Sequence, residues 1–196
     1  ERKRQQKVQG DKSASLLERG FSTFFLNRTS RSGIINGGVI GGKDQNGTWK
    51  IDARYNKVEL IARISKVASY RERINLYNKD AIDLLRLILP RITTRVLIYL
   101  DPPYYVKGRQ KLYTNFYKPA DHKAVADFLR GSENFYWITS YDDVDEIREL
   151  YSGHRHLSYD LHYSAQKRQQ GPEVMFFCST LIIPSVVHPA NIKQGR

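Results

Sequence analysis

Apolar residues recur along the chain in two rhythms, one at spacings of three and four and one of short continuous runs. The first apolar stretch, residues 16–25, reads as a helix running into the polar cluster Asn27-Arg28-Thr29-Ser30-Arg31-Ser32-Gly33. Residues 33–47 then hold six glycines with few large apolar side chains, which predicts a loop or hairpin module. Val58, Ile61, Ile64 and Val67 return at helical spacing, and residues 73–77 read as a short strand. Residues 80–89 are helical again through Ile82, Leu85 and Leu89, until Pro90 stops the pattern.

Val96-Leu97-Ile98-Tyr99-Leu100 is the run expected of a strand buried on both faces, and it ends at Asp101-Pro102-Pro103-Tyr104. After a polar, aromatic loop come a helix over 119–129, a strand over 135–140 and a helix over 142–151 with an acidic first turn. Two further strands, 157–163 and 174–183, flank a loop at 164–172. Strands alternating with helices, followed by two consecutive strands, imply an α/β fold. Its sheet is expected to be mainly parallel, covered by helices, with an antiparallel hairpin at the carboxyl end. Ligands of such sheets bind outside the carboxyl ends of the strands, where Asp101 sits.

Charge narrows the partners. Lys and Arg number 32 against 20 Asp and Glu, a net +12, and residues 1–31 alone carry an excess of five positive charges. A polyanion such as nucleic acid is the natural counterpart. No apolar run approaches the roughly 18 residues a membrane helix needs, and no secretory leader pattern opens the chain. A single cysteine, Cys178, forms no internal disulfide and suits a reducing, cytoplasmic setting. The only methionine is Met175, so a chain that opens at Glu1 is expected to be a piece of something longer. The domain expectation is a basic tail over 1–15, a recognition module over 16–56, a catalytic core over 57–184 and a tail over 185–196. A monomer is expected, or a partnership with an amino-terminal segment.

The tetrapeptide answers the chemical needs of methyl transfer to an exocyclic amine. Such an amine is a poor nucleophile, because its lone pair is delocalised into the ring. A carboxylate accepting one N–H and a backbone carbonyl accepting the other localise that pair toward a methyl donor. Pro102 and Pro103 offer no competing N–H and stiffen the loop. Tyr104 suits stacking on an extruded base, a contact worth about 1–3 kcal/mol.

On these residues the chain resembles the adenine-specific DNA methyltransferases that use S-adenosylmethionine. The resemblance rests on Phe24-Phe25-Leu26-Asn27-Arg28 with Ser32-Gly33, on 75–80, on Asp101–Tyr104, and on Trp137-Ile138-Thr139-Ser140 with the terminal hairpin. It implies a Rossmann-like methyltransferase sheet with a small inserted DNA-recognition module, S-adenosylmethionine as cofactor and double-stranded DNA as partner. It further implies that Asp101, Pro102, Pro103 and Tyr104 act in catalysis and that Asp80 and Asp101 border the donor. The family's Phe-x-Gly-x-Gly turn has no counterpart here, since Gly37-Gly38-Val39-Ile40-Gly41-Gly42 leads into a turn rather than a helix. The chain is therefore expected to be the carboxyl-terminal two-thirds of such an enzyme, and a non-catalytic DNA-binding remnant is the alternative.

Asn27, Arg28, Ser30, Arg31 and Ser32 form a polar, cationic cluster suited to phosphate clamping and base-edge reading. Trp49, Lys50, Arg54 and Tyr55 lie in the recognition hairpin that the resemblance places over about 27–55. Trp49 is open to two uses, DNA contact or packing the hairpin. Lys107, Arg109 and Tyr113, in an aromatic and basic loop with Lys111, Phe116 and Tyr117, suit a grip on single-stranded backbone. Lys167 and Arg168 offer a second phosphate contact. Cys178, within the apolar run 174–178, gives no support to a covalent mechanism, and the five histidines show no consistent metal spacing. Cytosine N4 and protein glutamine are the rival acceptors, each usually served by a different residue before Pro-Pro.

Overall fold

The computed structural model describes residues 1–106, 116–132, 134–163 and 169–183. They form two compact units, Glu1–Leu76 and a second beginning at Tyr77. The break falls at 76/77, so the helix assigned from sequence to the catalytic core belongs to the first unit.

The first unit holds α1 (Arg2–Gly10), α2 (Leu16–Thr29) and α3 (Lys57–Ala68). Residues 1–15, expected as a basic tail, include α1 and, beyond it, Lys12. Helix α1 buries Gln5 and is fastened to α2 where Ser22 Oγ donates to the Gln5 carbonyl at 2.5 Å. Helix α2 starts at a capping box in which Ser15 and Glu18 satisfy each other's backbone N–H groups. Asn56 caps α3, whose apolar rhythm is as expected, yet its Val58, Ile61, Ile64 and Val67 stripe is exposed and Leu60 is its buried residue.

Between α2 and α3 the expected loop or hairpin module is a run of consecutive turns, tied by one antiparallel bridge between Ser30 and Val39. Glycine is required there by close approach. A Cβ on Gly41, at φ +84°, would lie 2.6 Å from the Trp49 carbonyl. This glycine-rich stretch is a compact turn structure. The strand predicted at 73–77 does not form. Ile74, Leu76 and Tyr77 are exposed, and no ladder includes them.

The second unit is mixed α/β. Its strands are β1 (Leu97–Leu100), β2 (Tyr136–Asp142), β3 (Arg155–Tyr163) and β4 (Gln169–Phe177), in the order β1-β2-β4-β3. The β1–β2 pair is parallel, and the β2–β4 and β4–β3 pairs are antiparallel. Helices α4 (Ala81–Ile88), α5 (Pro119–Arg130) and α6 (Asp145–Leu150) complete the unit. Its core joins Ile98, Trp137, Tyr141, Val174 and Phe176 of the sheet to Ile82, Val125, Leu129 and Ile147 of the helices. By strand register these sheet residues share one face.

The opposite face departs from expectation. Strand β1 is at the sheet edge and alternates, with Ile98 buried but Leu97 and Tyr99 more than half exposed, so it is not buried on both faces. Strand β2 continues through Asp142, because Tyr141 and Asp142 pair with Val174 and Glu173. Helix α6 therefore begins at Asp145 rather than 142. Strand β4 starts before Pro172, in residues registered with β3, and the Pro172 carbonyl accepts from the Asp143 N–H just past the end of β2 at 3.0 Å.

Candidate active site

The period of two that sends Ile98 into the core sends Tyr99 and Asp101 to the other face. Register sets Tyr99 beside Ile138 and Leu100 beside Thr139, which brings Ser140 of β2 opposite Asp101. Ser140 Oγ donates to Asp101 Oδ1 at 2.9 Å, and the Tyr99 hydroxyl lies 2.9 Å from the same Oγ. With its own proton committed to Asp101, Ser140 accepts from Tyr99. A hydroxyl chain thus fixes one carboxylate oxygen. Asp101 is exposed, and among the described residues it pairs with no arginine.

Two buried acids stand beside this carboxylate. Asp142 and Glu173 are cross-strand partners, both about 3% exposed. Asp142 accepts from the backbone N–H of Tyr105 at 2.7 Å through Oδ1 and from that of Val106 at 3.0 Å through Oδ2. Glu173 accepts from the Tyr104 hydroxyl at 2.5 Å and from the Tyr159 hydroxyl at 3.2 Å. Burial, then the charge of Glu173, pushes the Tyr159 phenol far above its ordinary range, with Tyr99 and Asp101 adding to the push. The half-buried Pro102, Pro103 and Tyr104 continue from Asp101 into this acid-braced turn.

Asp80 caps α4, accepting from the N–H groups of Ile82 and Asp83 through one oxygen. Burial and then the neighbouring Asp80 and Asp121 raise the Tyr117 phenol, so Asp80 lies close to Tyr117. Tyr117 and Tyr105 both pack on the buried His122 ring, at 5.4 and 5.1 Å between centroids. Asp80 is thereby linked through Tyr117 and His122 to the turn after the tetrapeptide.

The cluster in the first unit is spent differently. Arg28 Nε donates to the Arg54 carbonyl at 2.7 Å, and Arg54 reaches the Ser30 carbonyl at 3.4 Å. Ser30 is fully buried and its hydroxyl accepts from Arg2 at 2.8 Å. Asn27 donates to the Gly33 carbonyl, Tyr55 packs edge-on against Phe24 and Phe25, and Lys50 donates to the Gln45 carbonyl. Arg31 and Ser32 remain exposed, as does Trp49 at 72%. Lys107, Arg109, Lys111, Tyr113, Lys167 and Arg168 lie outside the described residues.

Sequence reasoning missed Tyr99, Ser140, Asp142, Tyr159 and Glu173. The signal was available for Ser140 and Asp142, which end a strand parallel to β1, whereas Glu173 carries none beyond strand parity. A cavity of about 420 Å³ lined by Ile92, Thr94, Arg95, Phe135 and Thr180 opens at the amino ends of β1 and β2, away from Asp101. Among the described residues no helix is long and apolar enough to cross a membrane.

A search of the curated proteins finds no match. The family model for the D12 class N6 adenine-specific DNA methyltransferases matches residues 10–170, which include the strand-end carboxylate Asp101 and Asp142 but end before Glu173. The chain belongs to the D12 class N6 adenine-specific DNA methyltransferase family, whose chemistry is the methylation of adenine N6 in DNA.

Proposed function

We propose that Asp101, Pro102, Pro103 and Tyr104 form the catalytic segment of a site-specific enzyme acting on double-stranded DNA with S-adenosylmethionine. In this reading the second unit is the larger part of a Rossmann-like sheet, and residues 16–56 belong to the recognition module. The donor supplies an electrophilic methyl group on a sulfonium. Asp80 and Asp101 fit it by chemistry: each is an exposed carboxylate with one oxygen engaged by the protein and the other able to accept from a hydroxyl or ammonium group.

The observation that carries the reading is the Tyr99–Ser140–Asp101 hydroxyl chain. It spends Oδ1 of Asp101 on the protein and leaves Oδ2 for one N–H of the adenine amine. The Pro102 carbonyl takes the other N–H, and the Tyr104 ring stacks on the base turned out of the duplex. Arg31, Ser32 and Trp49, exposed in the first unit, are the described residues best suited to contact DNA, with Asn27 beside them. Lys107, Arg109, Tyr113, Lys167 and Arg168 are assigned to backbone contacts on sequence grounds.

Asp101→Ala tests the assignment. Transfer of labelled methyl from S-adenosylmethionine to adenine-containing DNA should fall by about a hundredfold or more, while DNA affinity stays as in the parent. Turnover retained in Asp101→Ala rejects the role.

A further inference from the structure

The tetrapeptide is followed by a turn without ladder hydrogen bonds, yet its geometry must be held if Asp101 and Tyr104 are to meet one base. Asp142 and Glu173 are buried, adjacent across the β2–β4 ladder, and directed at that turn from one sheet face. Burying a carboxylate is costly unless donors replace its water. Asp142 finds two in the Tyr105 and Val106 N–H groups, and Glu173 finds two in the Tyr104 and Tyr159 hydroxyls. Asp142 gives both oxygens to the turn, whereas Glu173 divides its own between Tyr104 of that turn and Tyr159, its cross-strand partner on β3.

We infer that Asp142 and Glu173 are positioning residues, a paired carboxylate clamp that sets the turn after Asp101–Tyr104 and the plane of the Tyr104 ring. Asp142 grips the backbone and Glu173 the phenol. A ring held only at its Cβ swings about two torsions, and tethering its hydroxyl removes that freedom before a base arrives. Tyr159 shares the Glu173 carboxylate, so the ring is braced from β3 as well. This inference rests on the catalytic reading of Asp101 and Tyr104.

The primary experiment is amide hydrogen exchange on the whole chain, resolved at Tyr105 and Val106. In Asp142→Ala both amides should exchange about tenfold faster or more, as loss of bonds to a charged acceptor requires, while core amides such as those of Ile138 and Phe176 keep their protection. Asp142→Asn, which keeps one acceptor oxygen, should give an intermediate effect and covers the case in which the alanine variant fails to fold. Unchanged exchange in both variants overturns the clamp.

The functional arm measures methyl transfer with Glu173→Gln and Tyr104→Phe. Both should lower kcat about tenfold with KM for DNA unchanged, and both should weaken the emission change of 2-aminopurine placed at the target adenine. A rise in KM at constant kcat would overturn the positioning role. The two readings fail separately: turnover that survives Asp101→Ala sinks the catalytic assignment, whereas the exchange rates of Tyr105 and Val106 report the clamp whether or not methyl is transferred.

Discussion

Two irregular segments of the molecule solve one problem with opposite charges. Residues 30–56 form turns tied by one bridge, Ser30 to Val39, and several of their carbonyl oxygens also accept from side chains. Cationic side chains fill them, Arg2 on Gly37, Arg28 on Arg54, Arg54 on Ser30 and Lys50 on Gln45. The turn after β1 exposes N–H and O–H donors instead, and acidic side chains fill those, Asp142 on the backbone and Glu173 on Tyr104. Backbone polar groups must be satisfied, so a loop that lacks secondary structure recruits whichever charge its own dipoles call for. A cluster of arginines beside a glycine-rich loop is therefore not by itself a phosphate clamp, and a pair of acids before a helix is not by itself a helix cap.

The two tryptophans give the widest contrast between the regions. Trp137 is 1% exposed within the second unit's core, and Trp49 is 72% exposed in the turns of the first. Trp137→Ala should destabilise its unit by about 3–5 kcal/mol through lost burial and a residual cavity. Trp49→Ala should leave stability within about 0.5 kcal/mol and change DNA affinity instead. Chemical denaturation read alongside DNA titration separates the two, and equal stability losses would break the contrast.

Arg28→Ala sharpens the same comparison at lower cost. It leaves the half-buried Arg54 carbonyl without its donor and should destabilise the first unit by about 1–2 kcal/mol. If the variant instead kept full stability and bound DNA more weakly, Arg28 would be a ligand contact rather than a carbonyl plug.

What the sequence made legible follows from the range over which each signal acts. Periodicity and capping are local, so α2, α3 and α4 stand within a residue or so of expectation at the amino ends capped by Ser15, Asn56 and Asp80, and α5 starts at Pro119. The strand run before Asp101 is likewise local, and β1 lies where it was read. Burial is not local: the apolar run 96–100 is compatible with one covered face or two, and only pairing at the sheet edge decides. Asp142 illustrates the same limit. An acid followed by another acid reads as a helix start, and the competing strand becomes visible only once Glu173 is its neighbour across the ladder. A hydroxyl beside arginines, as at Ser30, fits an anion by local pattern, and its bond to Arg2, 28 residues upstream, is beyond that pattern's reach.

A small acid-labile increment distinguishes the second unit's exposed rim from its buried clamp. Asp143, next to Asp142, is gripped by Arg148 through two hydrogen bonds of 2.6 and 2.7 Å, and Arg148 also donates to Ser158 Oγ at 2.9 Å. Burial alone raises the Asp143 carboxyl, but the Arg148 bonds, with help from Ser158, outweigh it and hold the group below its ordinary value of 3.8. A carboxyl whose folded pKa is depressed adds stability above its unfolded pKa. That contribution fades as pH falls through the interval between the unfolded value and the lower folded one. Because Arg148 is exposed to solvent, the increment is about 1 kcal/mol or less and shrinks with salt. Asp143→Asn should therefore lower the urea midpoint slightly at about pH 5, and the deficit should shrink as pH falls below the ordinary carboxylate value and through the lower folded one. A deficit that persists undiminished in acid would mean that the asparagine costs packing rather than charge.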